Sequence, residues 1–133
     1  KKIILLGFSF KPNTNDIRES SAIYIARNLI ENGANVIIND PKVSKKDIDN
    51  ALNNLSNETI YWTFNENIIE AAEDADAVVL LTQWEDYLSI NWREIFSKMR
   101  KPAWIFDTRS ILKKELLQKI GFNFWGLGDG RKI

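Results

Sequence analysis

Six short apolar runs, most of them rich in β-branched residues, recur along the chain: Lys2 to Leu6, Asn35 to Asn39, Ile60 to Thr63, Ala77 to Thr82, Ala103 to Asp107 and Asn123 to Gly126. Between most of them lie segments with helical spacing. From Ser20 to Asn32 the apolar set Ile23, Ala26 and Ile30, flanked by Ile25 and Leu29, covers one broad face, and Gly33 follows as a stop. Its N-cap is either Ser20 or Asp16, the latter with Glu19 three residues on in a capping-box arrangement. The same periodicity predicts helices over Lys45 to Leu55, Glu66 to Glu73, Trp92 to Met99 and Leu112 to Ile120, the last ended by Gly121. Strands alternating with helices predict a parallel sheet. The runs Ala77 to Leu81 and Ala103 to Phe106 are nearly continuous in apolar character, as strands covered on both faces require. The expected fold is a single-domain α/β protein, an open three-layer α/β/α sandwich with a mostly parallel, Rossmann-like sheet. No internal repeat divides it, and the Asn- and Lys-rich piece from Ser44 to Glu58 reads as its most exposed part.

A chain of 133 residues is long enough for one core and buries roughly two-thirds of its unfolded surface. No run of about 20 apolar residues offers a membrane span. Lys plus Arg and Asp plus Glu balance at 18 each, so no long-range field collects nucleic acid or an anionic bilayer, and any anion site must be local. Cysteine is absent, which removes disulfides and thiolate metal ligands, and no leader is evident, so a cytoplasmic location is expected. Two sequons at Asn54 and Asn57 stand in an Asn-rich stretch where chance matches are expected. Histidine is absent as well. Without His or Cys the chain lacks the usual neutral-pH base and the commonest strong nucleophile, so no catalytic residue and no metal site are expected in this chain on its own.

Ligands of such sheets sit beyond the carboxyl ends of the strands, where strand order reverses. Three segments should meet there: the loop after the first strand with Lys11 and Arg18, the end of the second at Asp40-Pro41, and Asp107-Thr108-Arg109. Lys11, Arg18 and Arg109 could then converge on one edge and face a phosphate. The alternative is that Arg18 pairs with Asp16 or Glu19, and Arg109 with Asp107, as surface salt bridges. The loop GFSFKPNTNDIRES has a single glycine where a dinucleotide-wrapping loop would cluster several. Its Phe8 and Phe10 alternate between faces, and Pro12 fixes the backbone, so the loop reads as stiff. Asp40 reads as a turn residue before Pro41, and the Gly126 to Gly130 tail as a chain end. Trp84, Trp92, Trp104 and Trp125 read as packing residues, and five tryptophans in all suggest a surface that another domain covers.

The stretch GFSFKPNTNDIRESSAIYIARNLIENGANVIINDPKV, with DADAVVLLTQWEDY, KPAWIFDTRSIL and IGFNFWGLG further on, resembles the C-terminal, UDP-binding domain of the nucleotide-sugar dehydrogenases, the UDP-glucose/GDP-mannose dehydrogenase family. The likeness spans nearly the whole chain and is closest to UDP-glucose members of the animal-like branch. It implies a longer enzyme with an N-terminal NAD-binding domain, a central helical domain that builds a homo-oligomer, and this domain closing over UDP-glucose. Members oxidise the sugar's C6 alcohol twice, giving UDP-glucuronate with two NAD+, through a cysteine that is not in this chain. The family's substrate contacts fall on Phe10, Lys11 and Arg109, and a contact to NAD on Arg18. NAD itself would be held mainly by the N-terminal domain. Where many animal-like relatives carry a glycine and a second arginine, this sequence reads Asp107-Thr108-Arg109-Ser110, which bears on the fine substrate contacts. The alternatives are a GDP-mannose or UDP-N-acetylhexosamine dehydrogenase domain, or a stand-alone, non-catalytic nucleotide-binding module that shares the fold.

Overall fold

A computed structural model describes residues 1–9, 13–17, 20–53 and 61–126. Six strands form one sheet in the order β3-β2-β1-β4-β5-β6, with every neighbouring pair parallel. They are β1 (Lys2–Leu6), β2 (Asn35–Asn39), β3 (Thr63–Phe64), β4 (Ala77–Leu80), β5 (Trp104–Asp107) and β6 (Asn123–Gly126). The helices are α1 (Ser21–Glu31), α2 (Lys45–Asn53), α3 (Ile68–Ala71), α4 (Trp92–Lys98) and α5 (Lys114–Ile120). The three-layer, doubly wound sandwich expected from the sequence is the one observed.

The alternation of side chains along each strand builds two cores. On one face Ile4, Leu6, Val78, Leu80 and Ile105 pack with Ala71 of α3, Ile95 of α4 and Leu117 of α5. On the other, Leu5, Val36 and Ile38 pack with Ala22 and Ala26 of α1 and with Ile48 and Leu52 of α2. Small alanines on α1 let that helix lie close to the sheet. Phe8 is fully buried in this second core, as one of the two alternating phenylalanines was expected to be. Phe10 lies outside the described residues.

Several expected elements shift. Ser20 is the N-cap of α1, in extended conformation with its Oγ accepting the Ala22 amide at 3.2 Å. The hydroxyl also donates to the Phe8 carbonyl at 2.9 Å, which ties the cap to the β1 loop. The strand expected at Ile60 to Thr63 is instead Thr63–Phe64, an edge strand fixed by pairing Ile37 with Thr63 and Ile38 with Phe64. Helix α3 is only four residues long, and a 3-10 helix at Glu85–Ser89 was not anticipated. The tryptophans divide. Trp84 and Trp92 are buried, but Trp104 and Trp125 are 37% and 46% exposed, which corrects the reading of all four as packing residues.

Candidate functional site at the strand ends

Register places Asn39, Leu6, Leu80, Asp107 and Gly126 in one row across the carboxyl edge of the sheet. Strand order reverses between β1 and β4, so the loops leaving these two strands flank the crevice where ligands of doubly wound folds sit.

The backbone at the crevice is closely fitted. Gly7 has φ +99, and a Cβ there would lie 2.4 Å from the Thr82 Cβ and 2.7 Å from its amide nitrogen. Only glycine combines that conformation with that approach. Thr82, leaving β4, donates its hydroxyl to the Ser9 carbonyl at 3.0 Å. The first loop is thereby fastened to the opposite half of the sheet.

Two buried aspartates hold the neighbouring turns. Asp40 Oδ2 accepts the amides of Phe8 at 2.8 Å and Ser9 at 3.1 Å, while Oδ1 accepts those of Lys42 at 2.8 Å and Val43 at 2.9 Å. Asp40 is the turn residue that the sequence suggested, and it is also a strap to the β1 loop. At the end of β5, Asp107 is fully buried. Its Oδ1 accepts the amides of Arg109 at 2.9 Å and Ser110 at 2.8 Å, and its Oδ2 accepts that of Leu112 at 2.8 Å. Thr108 completes this turn by donating its hydroxyl to the Leu80 carbonyl at 2.6 Å. Ser110 takes φ +59, a left-handed conformation that turns the chain after it toward Leu112, whose amide also reaches Asp107.

Arg109 therefore does not form the surface pair with Asp107 that spacing alone allowed. The Asp107 carboxylate is directed at main-chain amides, and the Arg109 Nε donates instead to the Leu81 carbonyl at 2.8 Å. The arginine is exposed and anchored by one donor to the Leu81 carbonyl just past β4. Of the three cations expected on this rim, Arg109 is thus at the strand ends. Lys11, Arg18 and Phe10 lie outside the described residues.

Sequence reasoning missed a further buried pair. Tyr87, on the 3-10 helix, donates its hydroxyl to the backbone and side-chain carbonyl oxygens of Asn39, each at 3.1 Å. Asn39 in turn donates to the Asn65 carbonyl at 2.9 Å. Burial pushes the Tyr87 phenol well above its ordinary range, and the Asp40 and Asp86 carboxylates push it the same way, so the hydroxyl stays a donor. No motif announces this contact, since it depends on the 3-10 helix folding back over β2.

A dinucleotide site of the usual kind does not fit these residues. The first amides of α1 are served by Ser20, the loop has one glycine, and the carboxylate at the end of β2 already accepts four amides, where such sites offer it to a ribose. Among the described residues no cluster of His, Cys, Asp and Glu could hold a metal ion, and no helix is long and apolar enough to cross a membrane.

Fold and strand-end architecture define a doubly wound, Rossmann-like α/β domain whose strand order reverses between β1 and β4. The chain belongs to the UDP-glucose/GDP-mannose dehydrogenase family: the family's UDP binding domain matches residues 4–114. It is 40% identical over 134 residues to UDP-glucose 6-dehydrogenase of Caenorhabditis elegans, and 39% identical over 141 residues to that of Gallus gallus. Each match covers 96% of this chain and 27% of the relative, so the chain spans about a quarter of the length of these curated relatives. Among solved structures, a UDP-D-ManNAc dehydrogenase from Pyrococcus horikoshii superposes with a TM-score of 0.72 at 29% identity, covering 96% of this chain and 25% of that one. A UDP-glucose dehydrogenase from Pyrobaculum islandicum gives 0.56 at 30% identity, over 68% of this chain and 19% of that one.

Proposed function

We propose that this chain is the UDP-sugar-binding, C-terminal part of an NAD-dependent UDP-glucose 6-dehydrogenase, which converts UDP-glucose to UDP-glucuronate with two NAD+. The observation that carries this reading is the match of residues 4–114 to the family's UDP binding domain, joined to an exposed Arg109 held at the strand ends by its Nε. Phe10, Lys11 and Arg109 contact the nucleotide sugar, with Arg109 offering its planar fork to the diphosphate and Lys11 a point charge. Arg18 contacts NAD, which is bound mainly by the N-terminal domain and supplies the hydride acceptor when present. The residues of this chain bind and orient, and the isolated domain is inactive because it has neither Cys nor His. The Asp40 carboxylate, which a dinucleotide site would offer to a ribose, already accepts four amides, and this supports a cofactor held by a neighbouring domain. The complete enzyme is cytoplasmic and a homo-oligomer built on its central helices.

A second reading within the family is supported by the Pyrococcus horikoshii structure, which covers more of this chain than the UDP-glucose dehydrogenase structure does. On that reading the sugar is a UDP-N-acetylhexosamine; GDP-mannose is the remaining family substrate. Titrating the full-length enzyme with each nucleotide sugar while following NADH separates them. Turnover with UDP-glucose is expected, and turnover confined to another nucleotide sugar rejects the choice.

A further inference from the structure

Asp107 ends β5 opposite Leu80 of β4 and is fully buried. Burial of a carboxylate requires a compensating charge or a set of hydrogen bonds. The arginine two residues on does not supply the charge: among the described residues the ion pairs are Arg27 with Glu31, Lys98 with Glu73 and Arg100 with Asp76. Three main-chain amides serve Asp107 instead, and one of them is that of Arg109 itself. Among the described residues the Arg109 guanidinium is thus left without an acidic side chain beside it, as an anion-binding arginine must be.

A second hold on this arginine comes from the end of β4. Thr108 sends its amide, at 3.2 Å, and its hydroxyl, at 2.6 Å, to the Leu80 carbonyl, and the Arg109 Nε reaches the next carbonyl, that of Leu81. Leu81 is tied in turn across the strand reversal, its amide donating to the Leu6 carbonyl at 2.9 Å. The main chain of Arg109 is therefore set by the turn after β5, and its side chain by a residue fixed to β1. Whether Nε and the Leu81 carbonyl meet depends on where the Asp107 turn puts the arginine's Cα.

We infer that Asp107, with Thr108, is a positioning residue for the nucleotide-sugar contact: its carboxylate fixes the Arg109 main chain so that the guanidinium is in place before the ligand arrives. The inference rests on the proposed reading of Arg109 as a contact to the nucleotide sugar. It adds that the strength of that contact is governed by a side chain too deeply buried to touch the ligand.

A double-mutant cycle in the full-length enzyme tests this, read as the Kd of UDP by calorimetry alongside KM for NAD and the melting temperature. Asp107→Asn keeps the shape but turns an N–H donor toward one of the three amides. UDP binding should weaken about threefold to tenfold, with KM for NAD within about twofold of wild type. In the Arg109→Ala background the same substitution should change the Kd of UDP by less than about twofold, while its cost in melting temperature remains. Equal fold-losses of UDP binding in the two backgrounds would overturn the inference, because they would show a role that does not pass through Arg109. Thr108→Val, which deletes only a hydroxyl at a half-buried position, gives the same cycle should Asp107→Asn not fold, and additivity there overturns the inference equally. If Arg109→Ala alone leaves UDP binding unchanged, the proposed role of Arg109 fails and the inference falls with it, an outcome read from the single variant before the cycle is completed.

Discussion

Asp40 Oδ2 accepts the backbone N–H of Phe8 at 2.8 Å across 32 residues of sequence, and so one carboxylate at the end of β2 sets the height at which the β1 loop leaves the sheet. The other oxygen is occupied by the turn that follows it. Replacing Asp40 by Ala leaves four amides without their acceptor, and buried amides that lose a charged partner cost about 1 to 3 kcal/mol each before relaxation. An overall loss of at least about 3 kcal/mol is expected. It should appear as a lower denaturant midpoint at unchanged slope, and a loss below about 1 kcal/mol would show that water replaces the carboxylate freely.

Glycine at position 7 is held by both conformation and contact, whereas Gly33 has φ +90 but open space around the position of a Cβ. Gly33→Ala should cost about 1 to 2 kcal/mol, the penalty of a left-handed alanine. Gly7→Ala must in addition displace the main chain at Thr82, so its loss should exceed that of Gly33→Ala by several degrees in melting temperature. Equal losses would mean that the β1 loop gives way easily at the crevice.

Tyr87→Phe removes the hydroxyl that Asn39 accepts twice, at a cost of about 1 to 3 kcal/mol at neutral pH. The folded phenol titrates above its ordinary value, so its contribution is complete below about pH 10 and is lost as pH rises further. Wild type should therefore lose stability above pH 10 more steeply than the Phe variant. Parallel alkaline profiles in chemical denaturation would contradict this.

Asp76 behaves in the opposite sense. The backbone N–H of Lys2, donating at 2.8 Å, and more weakly Arg100, lower its carboxyl below the ordinary value despite some desolvation. That stabilisation is present above about pH 4 and fades as pH falls through the lowered value. Asp76→Asn should flatten the acid limb of a stability profile and leave the alkaline limb alone. An unchanged acid limb would count against the contact.

For Arg109, the expected effect is on ligand use. On the proposed function, Arg109→Ala in the full-length enzyme removes a charge-assisted contact of about 1.5 to 3 kcal/mol and should weaken UDP-sugar use about tenfold or more, with little change for NAD. Arg18→Ala should chiefly affect NAD. Equal losses for both ligands in both variants would indicate disturbed folding or closure.

Much of this architecture can be read from local pattern. Strands β1, β2 and β6 begin and end where their apolar runs do, since a short β-branched or aromatic run bounded by polar or glycine residues has few other uses. Edge strand β3 shifts because two residue pairs with β2, and not its own composition, decide what counts as strand. The 3-10 helix at Glu85–Ser89 is too short to show a period. The site divides similarly: Asp-Pro and Asp-Thr announce turns, but their fit to distant amides depends on strand order. That Arg109 would reach Leu81, 28 residues away, could be known only once β4 and β5 were neighbours.

Because the guanidinium of Arg109 is held by the Leu81 carbonyl just past β4 while its main chain continues from β5, the side chain bridges two strand ends as a brace. Part of its rotational freedom is lost when the domain folds, so on the proposed function less remains to be lost when the diphosphate binds.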